Sequence, residues 1–295
     1  MKKMVITGII CVLIGVAFCG AAYAVSDGNV ESNNLRDKKF TFPSAGIKKI
    51  HIKDHVANLK IFKAPADSDE IVISAENVLV EELKVSESDG VLSISYNPRT
   101  VKFGVVSLPK LNFGKINKMS VINIYIPENK TFDSFYFDGG VGTTYAEYIT
   151  AGSVILDGGV GTYDIKNITA DSLKLNGGVG TVKIAGALIN GGAKIEGGVG
   201  TVDVSGRFNG DTVIDGGVGT IDFAGEINGN LKLSTGVGSA NVNLKGSIDD
   251  YNIKANKGVG TIRLNGSKIP DSVKNGGRYD IKIGAGVGSI NINIK

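Results

Sequence analysis

One tripeptide, Gly-Val-Gly, constrains this sequence more than any other feature. It occurs eight times between residues 140 and 288 of the 295, at steps of 19, 19, 20, 19, 19, 22 and 28 residues. Because a unit of this length cannot bury its own apolar face, successive units must stack on one another. The central valines are Val141, Val160, Val179, Val199, Val218, Val237, Val259 and Val287.

The residues around each tripeptide alternate between apolar and polar. The unit from Leu173 to Ile184 reads apolar-x-apolar, then Asn-Gly-Gly-Val-Gly-Thr, then apolar-x-apolar. A period of two is typical of β-strands, and no proline interrupts the chain between Pro127 and Pro270. The sequence therefore predicts an all-β fold, a single-chain β-solenoid similar to a parallel β-helix, with about 19–20 residues per coil.

Glycine makes up 42 of the 295 residues, roughly twice its usual share. The glycines on either side of each valine predict corners with positive φ or with closely stacked backbones. Between them, the valine is expected to point inward and to form a one-residue layer of the core. On that basis Val199→Asp is expected to destabilise the fold by several kcal/mol, whereas Asp203→Lys is expected to be tolerated.

The N-terminal half keeps the apolar pattern but not the glycines. The stretch from Ile50 to Ile61 aligns without gaps to the unit that begins at Leu173. We therefore interpret residues 40–137 as a degenerate β-repeat or cap, and 138–295 as the regular solenoid. Whether 40–137 belong to the same solenoid stays open, and the stretch from Val101 to Lys118 is expected to be a loop or excursion.

The first 24 residues predict export. After two lysines comes an uncharged run, Met4–Ala24, that ends in the small-x-small pattern of a signal-peptidase site and is also long enough for one membrane span. Residues 1–24 are thus a signal peptide or a membrane anchor, and 25–39 form a polar spacer. Both cysteines, Cys11 and Cys19, lie in the first segment, so the remainder cannot contain a disulfide.

The chemistry of the sequence favours a protein without catalysis or cofactors. A net charge of +3 argues against nucleic acid as a partner, and the glycine-rich turns lack the Gly-Lys-Ser/Thr of a phosphate loop. Asp164, Lys183 and Asp203 share one outward position, and such alternation excludes a calcium site. His51 and His55 face one side of a strand, but no third metal ligand is indicated. A solenoid polysaccharide-active enzyme is kept as an alternative.

Two outward positions are nearly constant along the repeat. A lysine column would attract an anionic cell-wall polymer if the coils are in register, or would simply be a solvated face. It comprises Lys174, Lys194, Lys232, Lys254 and Lys282. A hydroxyl column is expected to stabilise the turns. It comprises Thr143, Thr162, Thr181, Thr201, Thr220, Ser239, Thr261 and Ser289.

Three features together resemble a known family. They are the export segment, a β-rich half ending in Ile124-Tyr125-Ile126-Pro127, and tandem Asp-Gly-Gly-Val-Gly-Thr units. This combination resembles the bacterial putative-adhesin family, β-strand-repeat proteins of the cell envelope, from about Ile47 to Lys295. The resemblance implies a cell-surface protein that acts in adhesion or in envelope structure and sensing. Its partner would be an envelope or extracellular ligand, with membrane contact only through an uncleaved N-terminal segment.

Overall fold

The computed structural model describes residues 35–97, 100–103, 106–109, 119–256, 258–269, 272–273 and 276–295. The predicted export segment 1–24, and the spacer as far as residue 34, lie outside the described residues. Within them the chain forms strands and three single 3-10 turns, at Ser44–Gly46, Val80–Glu82 and Ile248–Asp250, so the all-β prediction is confirmed. No helix in this part of the chain is both long and apolar enough to cross a membrane.

The described residues contain 24 strands. In chain order they are β1 (Leu35–Pro43), β2 (Lys49–Val56), β3 (Asn58–Lys63), β4 (Glu70–Leu79), β5 (Leu83–Ser88), β6 (Val91–Tyr96), β7 (Thr100–Phe103), β8 (Val106–Pro109), β9 (Val121–Ile126), β10 (Phe132–Ala146), β11 (Ile149–Asp157), β12 (Val160–Ile165), β13 (Ile168–Asn176), β14 (Val179–Ile189), β15 (Ala193–Glu196), β16 (Val199–Phe208), β17 (Thr212–Asp215), β18 (Val218–Ile227), β19 (Leu231–Leu244), β20 (Tyr251–Asn256), β21 (Val259–Leu264), β22 (Ser267–Lys268), β23 (Ser272–Val273) and β24 (Tyr279–Ile294).

Successive units stack in parallel and in register, in a solenoid-like arrangement with three ladders. The first ladder holds the segments before each Gly-Val-Gly, and pairs Leu173 of β13 with Ala193 of β15. The second ladder starts at the valines, where β14 pairs with β16. A short third ladder joins the two, and pairs Ala187 with Ile168 on one side and with Gly206 on the other. From β10 to β19, each step along a ladder therefore advances the chain by one repeat.

The core runs along the axis of this stack. In the second ladder Val202 and Val204 are each only 1% exposed, whereas the alternating residues Thr201 and Asp203 face outward. The rings of Phe208 and Phe223 meet inside, with centroids 5.1 Å apart. Full burial of such a side chain contributes about 1.5–3 kcal/mol, so one coil is stable only when its neighbours cover it.

The repeated valines are not in the core, contrary to the prediction from sequence. The side chain of Val199 is 45% exposed, and the valines of six further units are 42–56% exposed. The reason is the strand alternation itself: with Val202 inward, the inward position one residue after the valine is Gly200. That position admits no side chain, since a Cβ on Gly200 would lie 1.9 Å from the Gly180 carbonyl oxygen, and its φ is +137°. The glycine prediction is thus confirmed, and the valine points to solvent.

The order of the coils in space differs from their order in the chain. Strand β24 lies between β19 and the pair β20 and β21, and bonds to both sides. Val287 consequently pairs with Val237 and with Val259, and is enclosed by units that precede it. The stack then ends in antiparallel strands, because β22 pairs with β21 and β23 with β20.

The N-terminal half continues the same ladders. Ile50 in β2 pairs with Phe135, and Leu59 in β3 pairs with Thr144, which is the register expected from the alignment to Leu173. Strands β6 and β9 form the next coil outward, parallel to β2 and β3. Antiparallel strands then end the stack: β5 lies on β6, and β4 and β1 follow β9. Strands β7 and β8, within the expected excursion, form a separate two-stranded hairpin.

Candidate functional site

The lysine column is in register. The outward positions of the first ladder run through Lys174, Lys194, Val213, Lys232, Lys282 and Lys254 in spatial order. All five lysines are exposed, and Val213 is half-buried among them. The insertion of β24 places Lys282 between Lys232 and Lys254, so the three lysines nearest the C-terminal end of the stack are contiguous.

Acidic neighbours neutralise part of this column. Two residues further along the strands of the column lie Glu196 and Asp215, and Asp157 holds the same position on the neighbouring strand β11. Lys194 Nζ is 2.7 Å from Glu196 Oε1. Such an exposed pair adds little stability, but it lowers the local positive potential. The contiguous lysines differ, because their neighbours in that direction are Ser234, Gly284 and Asn256.

The second ladder presents a column of valines beside the column of hydroxyls. Thr181 and Thr201 follow the exposed valines by two positions and face the same side. Their hydroxyls stand on strands and not in the turns, so the expected turn-stabilising role is wrong for them. Thr220 Oγ1 lies 3.5 Å from Ser239 Oγ, at the limit of a hydrogen bond along the column. The result is a narrow methyl-and-hydroxyl stripe that follows the stack.

A cleft on the second ladder was not predicted from the sequence. It has a volume of about 430 Å³. Its lining comprises Asn241, Asn243, Arg263, Gly266, Asn291, Ile292 and Asn293. Asn291 donates from Nδ2 to Asn241 Oδ1 at 3.0 Å, and Asn293 donates to Asn243 Oδ1 at 2.9 Å. Asn241 in turn donates to Asp222 Oδ1 at 2.8 Å. We call these four asparagines with Arg263 the amide cleft.

Only one of the two histidines has a described side chain. His51 packs its ring edge-on against Tyr136, with centroids 5.8 Å apart. The side chains of Asp54 and His55 lie outside the described residues. Elsewhere in the described part of the chain, no group of three or more His, Cys, Asp or Glu side chains could hold a metal ion.

Two buried tyrosines form hydrogen bonds between coils. Tyr148 donates its hydroxyl to the carbonyl oxygens of Ile126 at 2.6 Å and Pro127 at 3.0 Å. Burial raises the pKa of Tyr148 to about 12, and the carboxylates of Glu128 and Glu147 contribute to the increase. Tyr251 donates to the Ile227 carbonyl at 3.0 Å, and burial likewise raises its pKa. Both groups remain neutral donors at physiological pH.

The fold and its outward columns define an all-β repeat protein. The chain belongs to the Toastrack DUF4097 family, whose profile matches residues 47–293. No curated protein sequence matches this chain.

Several solved structures are similar to this chain at low identity. A putative adhesin from Bacteroides fragilis is 18% identical, with 87% of this chain and 97% of that chain covered and a TM-score of 0.43. A putative cell adhesion protein from Clostridium sporogenes is 20% identical, with 88% and 100% covered and a TM-score of 0.24. A putative lipid binding protein from Parabacteroides distasonis is 16% identical, with 87% and 96% covered and a TM-score of 0.38.

Proposed function

We propose that this protein is a non-enzymatic, exported β-solenoid of the cell surface that acts as an adhesin or as a structural or sensing element of the envelope. One observation carries the proposal: successive coils lie in register, so that similar outward side chains recur along the stack, lysines in one column and threonines or serines in another. A row of equivalent groups about 4.8 Å apart suits a partner that is itself repetitive, because each added contact is intramolecular. The sequence of residues 1–24 supports export.

Surface location is tested by protease treatment of intact cells that express the full chain. We expect trypsin to remove the protein from intact cells while a cytoplasmic marker stays whole. N-terminal sequencing of the untreated protein then distinguishes a cleaved signal peptide from a retained anchor. Complete protection of the protein until the cells are lysed would contradict the proposal.

A second candidate function is binding of an anionic cell-wall polymer through the lysine column. The contiguous lysines favour it: Lys232, Lys282 and Lys254 are exposed on adjacent strands, and Asp280 is the one acidic residue in the flanking outward positions of these three coils. Attraction of this kind is long-ranged and weakens with added salt.

Co-sedimentation with purified cell walls tests this function. We expect Lys232→Gln, Lys254→Gln and Lys282→Gln together to reduce the bound fraction at low salt. The matched control replaces three exposed lysines elsewhere, Lys60, Lys84 and Lys183, and removes the same charge. Equal binding by the two triple variants would exclude a specific role of the column.

A further inference from the structure

We propose that the amide cleft binds an anionic carbohydrate unit, that is, a sugar or polyol whose hydroxyl groups meet the asparagine amides and whose carboxylate or phosphate meets Arg263. The cleft lies on the second ladder, whereas the lysine column lies on the first. The proposal therefore stands independently of that column and assigns a local site of defined chemistry.

The cleft exists because β24 is inserted into the stack. In chain order Arg263 comes between Asn241 and Asn291, but in space Asn291 pairs with Asn241 on one side and with Arg263 on the other. The same insertion places Asn293 beside Asn243. In an uninterrupted stack the arginine would separate the asparagines, and the four amides would not be contiguous.

The four amides form a two-by-two array with bonding capacity to spare. Each primary amide has two N–H donors and an acceptor oxygen with two lone pairs. The bonds from Asn291 to Asn241 and from Asn293 to Asn243 use one donor of one amide and one lone pair of the other. Asn243 is exposed, and Asn241, Asn291 and Asn293 are partly exposed. Adjacent hydroxyls of a sugar both donate and accept, so they complement such a surface.

The charge at the two ends of the cleft gives the ligand a direction. Arg263 is exposed, forms no ion pair among the described residues, and pairs across its hairpin with Lys268, which adds positive charge. At the opposite end Asp222 already accepts a hydrogen bond from Asn241. A carboxylate or phosphate can accept two parallel hydrogen bonds from an arginine, an arrangement stronger than a bond between neutral groups. The anionic group is thus expected at the Arg263 end.

The distance along the array sets the size of the ligand. Asn241, Asn291 and Arg263 occupy three successive strands, so the polar row spans roughly 10 Å. Gly266, in the turn between β21 and β22, lines the cleft, which is partly open to solvent. A disaccharide-sized segment of a longer chain fits such an open row.

Calorimetric titration of the full chain with three probes tests the proposal. The probes are an oligogalacturonate, a poly(glycerol phosphate) and neutral maltohexaose. We expect at least one anionic probe to bind and Arg263→Gln to weaken it about tenfold, the effect of losing one charge-assisted contact. Lys183→Gln removes the same charge from the same outward column, five coils away from Arg263, and should change affinity less than twofold. Preference for the first probe identifies a carboxylate ligand, and preference for the second a phosphate.

A second pair of variants tests the amides. Asn243→Ala with Asn293→Ala should weaken every probe that binds. Asn209→Ala with Asn228→Ala removes another asparagine pair bonded between coils, at 3.0 Å, and should not. The proposal is overturned if neither anionic probe binds at millimolar concentration, or if the Arg263 and Lys183 variants behave alike. The triple lysine variant should bind as the unmodified protein does, which separates this site from the lysine column.

Discussion

Gly200 stacks on Gly180 so closely that a Cβ atom added to Gly200 would lie 1.9 Å from the Gly180 carbonyl oxygen. The obstacle is backbone, which cannot turn aside as a side chain could. The φ of Gly200, +137°, is also one that other residues rarely adopt. In seven of the eight units the glycine after the valine is thus fixed twice, by conformation and by space, whereas Gly260 is fixed by space alone.

We therefore expect Gly200→Ala to lower the free energy of unfolding by at least about 3 kcal/mol, the sum of backbone strain and overpacking. Gly46→Ala is the matched control, because a Cβ there meets nothing within 4 Å and φ is not in the positive region. Thermal or urea melts of the two variants measure the difference. Similar stabilities would show that the coils can separate to admit a methyl group.

The exposed valines give a second prediction. Val199→Asp should cost less than about 1 kcal/mol, because the side chain already faces water. Val202→Asp, in the same strand, should cost more than about 3 kcal/mol, because it buries a charge at a position only 1% exposed. Denaturant melts of both variants measure the loss in the free energy of unfolding. A larger loss for Val199→Asp than for Val202→Asp would show that Val199, and not Val202, faces the core.

The spatial order of the coils predicts which cysteine pairs can cross-link. With Cys11 and Cys19 replaced by serine, Val237→Cys and Val287→Cys lie on neighbouring strands about 4.8 Å apart and should form a disulfide on oxidation. Val237→Cys with Val259→Cys places the thiols two steps apart, roughly 10 Å, beyond the reach of a disulfide. Non-reducing gel mobility or mass spectrometry distinguishes the pairs. A disulfide that forms only in the second pair would show that the coils stack in the order of the sequence, contrary to this structure.

Stability at alkaline pH should report on Tyr148. Its pKa is about 12 in the fold, and that of an unfolded tyrosine is about 10, so the unfolded chain loses the proton first. The contribution of the neutral hydroxyl is complete below pH 10 and declines as the pH rises toward 12. Wild type should exceed Tyr148→Phe in stability by about 1 kcal/mol at pH 7.

Urea melts of both proteins between pH 7 and 11.5 measure this difference in stability. The ionisation of the other tyrosines affects both proteins equally and cancels from the difference. We expect the advantage of wild type to disappear by about pH 11. An advantage that stays constant across the range would show that the hydroxyl ionises equally in both states.

The sequence predicts the strands and their register well, because both follow from local alternation. Ile50 pairs as its gapless alignment to Leu173 requires, although no glycine marks that coil. The same alternation, applied strictly, also places Val199 outward. The prediction of an inward valine is wrong because the glycine after it occupies the inward position of the strand.

The order of coils and the amide cleft could not be predicted from the repeat. Strands with the same alternation of apolar and polar residues can pair in parallel with any other such strand. The repeat pattern therefore does not determine which coils are neighbours. The longer steps of 22 and 28 residues before Val259 and Val287 were the only sign of an altered connection. Asn291 meets Asn241 through that connection, so their contact depends on topology and not on spacing.

The enclosed position of β24 also fixes when the protein can finish folding during synthesis. Coils from β10 to β19 can each add to a completed neighbour as the chain leaves the ribosome. Strands β20 and β21 are made earlier than β24, yet their parallel partner is β24. A chain that stops before Tyr279 would leave two open sheet edges, which are targets for proteases and aggregation. The parallel pairing of β20 and β21 therefore waits for the synthesis of β24.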